Sequence, residues 1–460
     1  MHLNSFNYIL FLAAVYVLYT VFQRFGIKGR RVLLLTAGLA FYCMCSKGFA
    51  ALLIAETVWN YYSAQVLDNK KSGGILAFAL ALNIGVLFFF KYIGFFTGIE
   101  TNIAVPAGIS FFTLAVSGYL IDIYKGKSKA EKNFIDFSLF MVFFPALTSG
   151  PIERGDHLIP QLKEADTRKT ADIGSFKAGL FRICRGFLLK LCVADNIKVF
   201  VDTVYSSPDK FAGVPVIIAV LAYSMQIYCD FAGYSDIAIG SARLFGIRLL
   251  ENFDAPYLSR SIKDIWRRWH MSLSFWFRDY LYFPLGGSRK GTLRAYLNII
   301  AVFAVSGLWH GADWKFIFWG VLNGMYQVIE SIIEKGTGTG KNGKSGTWRI
   351  VLNYILMSLA WIFFRADSMG EAFRIISSIF GTGSQGILSA GAGAPALIIT
   401  AVFVLAAAAY DIRNRKQDVS DTICKTDAIW FVCAALIILV LVFGAYGPGY
   451  DSADFIYNRF

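Results

Sequence analysis

The chain has 460 residues, of which 56% are hydrophobic and 16% are charged, and its formal net charge is +13. Soluble chains carry about 25% charged residues, so this composition excludes an ordinary soluble globular protein. The positive charge does not indicate nucleic-acid binding, because Lys and Arg form short clusters beside apolar runs and no soluble basic domain carries them.

Six long apolar runs without charge dominate the sequence. A bilayer core about 30 Å thick is crossed by roughly 20 apolar residues in a helix. The six runs are residues 5–23, 74–90, 213–229, 295–312, 394–410 and 428–446. No soluble fold needs six such runs, so the sequence predicts an integral membrane protein.

Weaker apolar segments lie between these runs, at residues 50–66, 105–121, 137–152, 316–329 and 350–364. Residues 32–45 are short for a crossing and are predicted to be re-entrant or tilted, since surrounding protein can satisfy short helix ends. Residues 161–190 mix charged and apolar side chains, which is typical of an interfacial helix. The sequence therefore predicts an all-α polytopic membrane protein with about 10–12 membrane segments in one domain over residues 1–460.

Basic residues flank only one end of the first apolar run. Residues 1–7 contain no Lys or Arg, whereas Arg24, Lys28, Arg30 and Arg31 follow the run. Lys and Arg favour the cytoplasmic side of a membrane. We therefore expect the N-terminus outside the cell and the first loop inside it.

Two of the four histidines lie where the sequence favours chemistry. His310 ends an uncharged stretch, and Gly307 and Gly311 beside it allow a close approach of backbone or substrate. A neutral imidazole there can act as a base near neutral pH. His270 lies in residues 262–277, which are predicted to form one interfacial helix with an aromatic and a basic face. For both histidines, a purely structural role remains the alternative.

Two further segments carry polar residues next to apolar sequence. Asp230 and Asp236 follow the apolar run that begins at residue 213. Buried carboxylates need partners, and the basic segment 260–268 is the expected source. In residues 144–154, Pro145, Gly150 and Pro151 predict a helix broken within the membrane. No Cys or His spacing is typical of a metal site.

Several motifs resemble the membrane-bound O-acyltransferase (MBOAT) family. They are Trp-Arg-Arg-Trp-His-Met-Ser-Leu-Ser at 266–274, Phe-Arg-Asp-Tyr-Leu-Tyr-Phe-Pro-Leu-Gly-Gly at 277–287 and Gly-Leu-Trp-His-Gly-Ala at 307–312. Residues 106–112, 149–154, 230–236 and 361–366 match the bacterial branch of the family. Seven motifs in order, together with the closing residues 455–460, make the resemblance specific. It is strongest to the alginate and peptidoglycan O-acetylation branch, and the teichoic-acid D-alanylation protein is related.

The resemblance implies the MBOAT fold and a set of site residues. His310 would be the catalytic histidine, taking a proton from a hydroxyl that attacks a thioester, or briefly carrying the acyl group. His270 would be a second functional histidine that positions the reactants. The supporting residues beside the substrate channel would be Trp309, Trp269, Arg268, Asp279, Asp230 and Asp236.

The resemblance also implies the reaction partners. The donor would be a cytoplasmic acyl thioester, acetyl-CoA above all, with no bound cofactor and no metal. The acceptor would be a hydroxyl of a cell-surface or secreted polysaccharide. Nothing in this sequence resembles the SGNH-type transferase that finishes such reactions, so a separate extracytoplasmic partner of that type is expected. The location would be the bacterial cytoplasmic membrane.

Three alternatives remain open. One is D-alanyl transfer from a carrier protein to teichoic acid, in which the chemistry is similar but the donor differs. Another is a transporter or channel without chemistry, which the absence of internal sequence repeats disfavours. The third is a scaffold for a polysaccharide synthase. Substitution of His310 separates the enzymatic hypotheses from the others.

Overall fold

The computed structural model describes residues 1–25, 29–98, 103–167, 173–337, 346–391, 393–416, 424–447, 450–453 and 455–456. Over these residues the chain forms helices and loops and no β-strand, which confirms the all-α prediction. Lys28 and the closing residues 457–460 lie outside the described residues. The chain divides into two compact units. The single domain expected over residues 1–460 stays a prediction.

The first unit comprises Met1–Arg185, Tyr234–Glu251 and Ile423–Cys433. Its first helices are Phe6–Arg24, Arg30–Cys45, Ala50–Lys70, Gly73–Lys91, Ile93–Thr97 and Ile109–Tyr124. They are followed by Phe134–Val142, Phe144–Leu147, Gly155–Lys163, the 3₁₀ turn Glu164–Asp166 and Ile173–Phe187. Aromatic rings fill the core, where the Phe144 ring lies 5.3 Å from that of Phe11 and 5.9 Å from that of Phe245.

The break expected in residues 144–154 is confirmed. The helix that begins at Phe134 ends at Val142. A single turn, Phe144–Leu147, carries Pro145 near its start, where the missing N–H of proline costs no helical hydrogen bond. Residues 148–154 then run without helical structure until the next helix begins at Gly155. Because proline has no backbone N–H and its ring crowds the preceding turn, the end of the helix before Pro145 agrees with the sequence.

The second unit comprises Gly186–Gly233, Asn252–Thr422 and Ala434–Phe460. It begins with the π-helical segment Leu188–Ala194 and continues with Asp195–Tyr205, Ile262–Arg268, Met271–Phe277 and the π-helical segment Arg278–Tyr282. Thr292–His310, Trp314–Thr337, Trp348–Arg365, Met369–Ser378 and Ala394–Lys416 follow, with 3₁₀ turns at Pro256–Leu258 and Ile387–Ser389. Three of the described helices, Ile173–Phe187, Val214–Leu244 and Ala428–Phe443, have residues in both units.

Three tryptophans form the centre of the core in the second unit. Trp269, Trp319 and Trp361 are almost completely buried. Trp361 stacks on Trp319 with ring centroids 5.2 Å apart, and its centroid lies 5.0 Å from that of Trp269. Large aromatic side chains bury much apolar area and hold fixed orientations. They therefore give the adjacent histidines a rigid surrounding.

Seven helices among the described residues are long and apolar enough to cross a membrane. They are Phe6–Arg24, Gly73–Lys91, Val214–Leu244, Thr292–His310, Trp314–Thr337, Trp348–Arg365 and Ala394–Arg415. Five of the six strong apolar runs are thus confirmed as long helices, and the sixth forms the shorter apolar helix Ala428–Phe443. Residues 32–45, which are short for a membrane crossing, lie within the 16-residue helix Arg30–Cys45. The protein is a multi-pass membrane protein.

Candidate active site

His310 is the last residue of the Thr292–His310 helix and belongs to the second unit. Its side chain is buried. Its ring packs edge-on against Trp319 at a centroid distance of 5.2 Å and against Phe364 at 5.4 Å. The imidazole therefore lies among aromatic rings, which agrees with the uncharged sequence before it.

The two glycines that flank His310 are required by close packing. A Cβ on Gly307 would stand 2.1 Å from the carbonyl oxygen of Phe316, and one on Gly311 would stand 2.2 Å from the Phe316 ring. The expected close approach is therefore confirmed, and the group that approaches is Phe316. This contact draws the Trp314–Thr337 helix against the Thr292–His310 helix and brings Trp319 onto His310.

His270 does not lie within one continuous helix, and the prediction of a single helix over residues 262–277 is wrong. One helix ends at Arg268 and the next begins at Met271. His270 stands between them with a φ of 42°, in the left-handed region that non-glycine residues seldom adopt. The backbone N–H of Met271 donates to the Asn252 carbonyl at 2.9 Å, so contacts distant in sequence hold the break.

The His270 side chain is buried against the same Asn252. Its Nδ1 lies 3.3 Å from the Asn252 Oδ1, which also accepts a 2.6 Å hydrogen bond from the Ser272 hydroxyl. The Phe231 ring packs edge-on at a centroid distance of 4.7 Å. His270 lies outside the seven candidate spans, and burial lowers the pKa of its imidazole to about 3.

Both histidines line one cavity of about 450 Å³. The Trp309 ring connects them, at centroid distances of 6.0 Å from His270 and 5.0 Å from His310. Aromatic and aliphatic side chains form most of the wall, and three cationic residues also line it: Lys263, Arg267 and Arg278. We call this space the histidine cavity. Its combination of an apolar body with a few charged groups is typical of small-molecule sites.

The supporting residues have different positions around this cavity. Trp269 lines it, whereas Arg268 is not among its lining residues. Arg268 forms ion pairs with Asp254 at 2.6 Å and with Asp264 at 3.0 Å. Asp279 accepts a 2.8 Å hydrogen bond from Nε of Arg278, which does line the cavity. Asp279 therefore holds a lining residue in place.

Asp230 lies within the Val214–Leu244 helix, and its partner is not the segment 260–268, so that expectation is wrong. Lys190 contacts Asp230 at 2.8 Å and Asp195 at 2.7 Å, and all three side chains are buried. The Ile456 N–H also donates to Asp230 at 2.8 Å. A buried charge is tolerated when it is paired and hydrogen-bonded, and Lys190, 40 residues earlier in the chain, supplies the pairing charge.

Asp236 belongs to the first unit, whereas the two histidines belong to the second. Its partners also differ from those expected. Arg182 contacts it at 2.6 Å, and Arg185 forms a second ion pair. Both arginines lie on the Ile173–Phe187 helix. The structure therefore gives Asp236 a bracing position within the first unit.

A second cavity, of about 320 Å³, lies beside the residues that follow His310. Gly311 and Ala312 line it, and so does Phe364, whose ring packs on His310. The sequence analysis did not predict this cavity. It also did not single out three of the residues that line it, Lys190, Gln226 and Phe364, as site residues. Phe364 falls in the motif at 361–366, which is the one signal that could have found it.

The model of the membrane-bound O-acyltransferase family matches residues 127–367. This range contains both histidines and the lining residues of the histidine cavity. The chain belongs to the membrane-bound O-acyltransferase family. It is therefore a membrane enzyme that transfers acyl groups, and the resemblance drawn from the motifs is confirmed.

This acyltransferase is similar to proteins of known name in several bacteria. It is 35% identical over 377 residues to the probable alginate O-acetylase AlgI of Pseudomonas putida, covering 78% of this chain and 76% of that protein. It is 34% identical over 388 residues to the peptidoglycan O-acetyltransferase of Helicobacter pylori, covering 76% and 73%. The teichoic acid D-alanyltransferase of Bacillus subtilis is 31% identical over 265 residues, covering 55% and 66%.

Proposed function

We propose that this acyltransferase moves an acetyl group from a thioester donor toward hydroxyls of a cell-surface or secreted polysaccharide, by way of an extracytoplasmic partner, with His310 as the general base. The observation that carries the proposal is that His310 and His270 line the same cavity. Relatives named as alginate and peptidoglycan O-acetylating enzymes support the acetyl group and the polysaccharide acceptor.

The histidine cavity suits a thioester donor that carries phosphates. Lys263, Arg267 and Arg278 line it together with aromatic side chains. Cationic side chains pair well with phosphate oxygens, and the apolar part of the cavity fits an acyl-thioester arm. Acetyl-CoA has this construction, and we propose it as the donor, used as a substrate and without a bound cofactor.

The chemistry assigned to His310 is proton transfer. As the acceptor oxygen attacks the thioester carbonyl, the imidazole takes the hydroxyl proton. A carbon–oxygen bond forms, the carbon–sulfur bond breaks, and the proton passes to the leaving sulfur as free thiol. His270 is proposed as a positioning residue, because Asn252 and Phe231 hold its ring beside Trp309.

The setting of the reaction is proposed to be the bacterial cytoplasmic membrane, with the N-terminus outside. The donor would enter from the cytoplasm, and the acyl group would leave toward the outer face. An SGNH-type extracytoplasmic partner would complete the transfer to sugar. The basic cluster after the first apolar helix supports this orientation.

D-alanyl transfer to teichoic acid is the second candidate, because a relative in Bacillus subtilis bears that name. The two acetylation relatives cover 78% and 76% of this chain, whereas the D-alanylation relative covers 55%. The wider match favours acetyl transfer.

The test is thioester turnover by the purified protein in detergent. Acetyl-CoA is supplied with a neutral N-acetylglucosamine oligosaccharide or a uronate oligosaccharide, and free CoA is measured. Three proteins are compared: wild type, His310→Ala and His157→Gln. His157 is the matched control, because it lies in the first unit and hydrogen-bonds to Glu153 at 2.7 Å.

Loss of a general base costs about 10²–10⁴-fold in rate, so CoA release should fall by at least 100-fold in His310→Ala and persist in His157→Gln. Equal release from wild type and His310→Ala, with the same elution volume and unfolding temperature, would remove His310 from the chemistry. No release from acetyl-CoA, with release from a D-alanylated carrier protein, would favour the second candidate.

A further inference from the structure

The histidine cavity has a basic end and a histidine end. One helix carries Trp319, whose ring packs on His310, and also Ser331, which lines the cavity about three turns further along. At a rise of about 1.5 Å per residue, these two levels are roughly 18 Å apart. Next to Ser331, Glu330 accepts a 3.3 Å hydrogen bond from the backbone N–H of Lys263, which lines the basic end. A donor bound with its phosphates at the basic end therefore extends its thioester toward the histidine end.

Ser306 lies at the histidine end. It belongs to the Thr292–His310 helix, four positions before His310, and both residues line the cavity. Residues at this spacing are neighbours on one helix face, with Cβ atoms about 5–6 Å apart. The Ser306 side chain is partly exposed, so a group bound in the cavity can reach its hydroxyl.

Three other serines occur among the described residues that line the cavity, and each is placed differently. Ser274 donates a 3.1 Å hydrogen bond to the Trp269 carbonyl. Ser331 donates a 2.8 Å hydrogen bond to the Gln327 carbonyl. Ser288 is exposed and precedes the helix that ends at the catalytic candidate, and the 19 residues of that helix span about 28 Å. Ser306 is therefore the serine of this wall with a hydroxyl available beside the reacting histidine.

The availability of the Ser306 hydroxyl is unusual within a helix. Helical Ser and Thr hydroxyls often donate to the backbone carbonyl four residues earlier, as those of Thr57 and Ser241 do at 2.7 Å. Within the part of the chain that the structure describes, the Ser306 hydroxyl makes no hydrogen bond. A ligand oxygen can therefore accept a hydrogen bond from it without displacing a contact of the protein.

The reaction requires a hydrogen-bond donor at this end of the cavity. When an oxygen nucleophile attacks a thioester, negative charge develops on the carbonyl oxygen. A fixed donor aimed at that oxygen stabilises the transition state more than the ground state. His310 is occupied with the proton of the nucleophile, and the basic end is roughly 18 Å away. The donor must therefore come from another side chain near His310.

We propose that Ser306 is a further catalytic residue, whose hydroxyl donates a hydrogen bond to the carbonyl oxygen of the bound thioester and stabilises the oxyanion that forms there. The inference rests on the proposed function, in which His310 takes the proton of the nucleophile. As the new carbon–oxygen bond forms, the carbonyl oxygen gains the negative charge. As the carbonyl re-forms, the carbon–sulfur bond breaks and the sulfur receives the proton from His310. Ser306 keeps its own proton throughout.

The test uses the whole chain in detergent and two thioester donors. One is acetyl-CoA, and the other is its dithioester analogue, in which sulfur replaces the carbonyl oxygen. Sulfur is a weak hydrogen-bond acceptor, so a hydroxyl should stabilise the analogue's transition state much less. Ser306→Ala removes the hydroxyl and Ser306→Thr keeps it. Val305→Ala is the matched control, because Val305 is the adjacent residue of the same helix, is 44% exposed and lines neither cavity.

In Ser306→Ala, the kcat for CoA release from acetyl-CoA should fall about 10²–10³-fold, as expected when one oxyanion donor is removed. The KM for acetyl-CoA and the unfolding temperature should stay at the wild-type values. With the dithioester donor, the difference in kcat between wild type and Ser306→Ala should nearly disappear. Ser306→Thr should retain most of the kcat, and Val305→Ala should retain all of it.

Three results would overturn the inference. The first is an unchanged kcat in Ser306→Ala. The second is an equal loss of kcat with both donors, because a merely structural change affects both alike. The third is a higher KM for acetyl-CoA at unchanged kcat, which indicates equal binding of ground state and transition state. In all three, CoA release still depends on His310, so the proposed function stands. Absence of CoA release from the wild type would overturn the proposed function and this inference with it.

Discussion

His270 illustrates how a single residue combines backbone strain with burial. Its left-handed conformation places the ring between Asn252 and Phe231. A non-glycine residue in this region costs about 1–3 kcal/mol and persists only where its surroundings enforce it. Such strain often marks functional positions, and the ring's place on the histidine cavity agrees with a positioning role.

Burial of His270 predicts a pH dependence of stability. The pKa of the folded imidazole is lowered to about 3, whereas an unfolded histidine titrates near 6.5. Between these values the unfolded chain binds a proton that the folded chain does not, so stability falls as pH falls. The loss should reach about 2 kcal/mol near pH 5. Unfolding in detergent, followed by tryptophan fluorescence at several pH values, measures it.

The variant that isolates this effect is His270→Asn, because Asn tolerates the left-handed conformation. Its unfolding temperature should decrease less than that of the wild type between about pH 7 and pH 5. His157→Gln is the control and should keep the acid-side loss. If His270→Asn keeps the wild-type slope, the imidazole does not remain neutral in the folded protein.

At the scale of secondary structure, the helix pair Thr292–His310 and Trp314–Thr337 decides the position of His310. The helices approach so closely at Gly307 that no side chain fits against the Phe316 carbonyl. Protein interiors are closely packed, so inserting even one methyl group there costs free energy. The position of the imidazole therefore depends on a residue three positions before it.

Gly307→Ala should separate these two helices. Overpacking costs about 1–3 kcal/mol, and the clash here is with backbone, which cannot rotate away. We expect a lower unfolding temperature and reduced CoA release. Gly336→Ala lies on the partner helix with open space around its Cβ, and should leave both unchanged. Wild-type stability and activity in Gly307→Ala would show that the helices do not pack this closely.

At the scale of the whole molecule, the exposed apolar surface indicates that a lipid bilayer surrounds the protein. Many large apolar side chains are exposed, among them Phe6, Phe78, Leu293, Leu405 and Phe431. A soluble monomer does not expose contiguous apolar area on this scale. Lipid tails would cover these side chains in the membrane.

The predicted orientation of the chain can be tested by labelling cysteines. In a protein whose seven native cysteines are replaced, His2→Cys should react with a membrane-impermeant maleimide in intact spheroplasts. Arg24→Cys should react only after permeabilisation, because the basic cluster beside it favours the cytoplasm. The reverse labelling pattern would show that the N-terminus lies in the cytoplasm. The proposed entry of the donor from the cytoplasm would then lose its support.

The sequence by itself determined which segments become apolar helices, because hydrophobic content over about 20 residues is a local property. It predicted the break around Pro145, since a proline in a helix acts on its own neighbours. It also selected His310, because the absence of charge before it and the glycines beside it can be read directly.

Only the tertiary structure decided the partners of the buried charges and the shape of the cavities. Asp230 pairs with Lys190, 40 residues earlier in the chain, and no local pattern separates that lysine from the basic residues at 260–268. The break at His270 depends on Asn252 and was hidden by a regular apolar stripe. The second cavity and the place of Gln226 arise from helices far apart in sequence. Such contacts depend on how whole helices pack, and the local sequence does not contain that information.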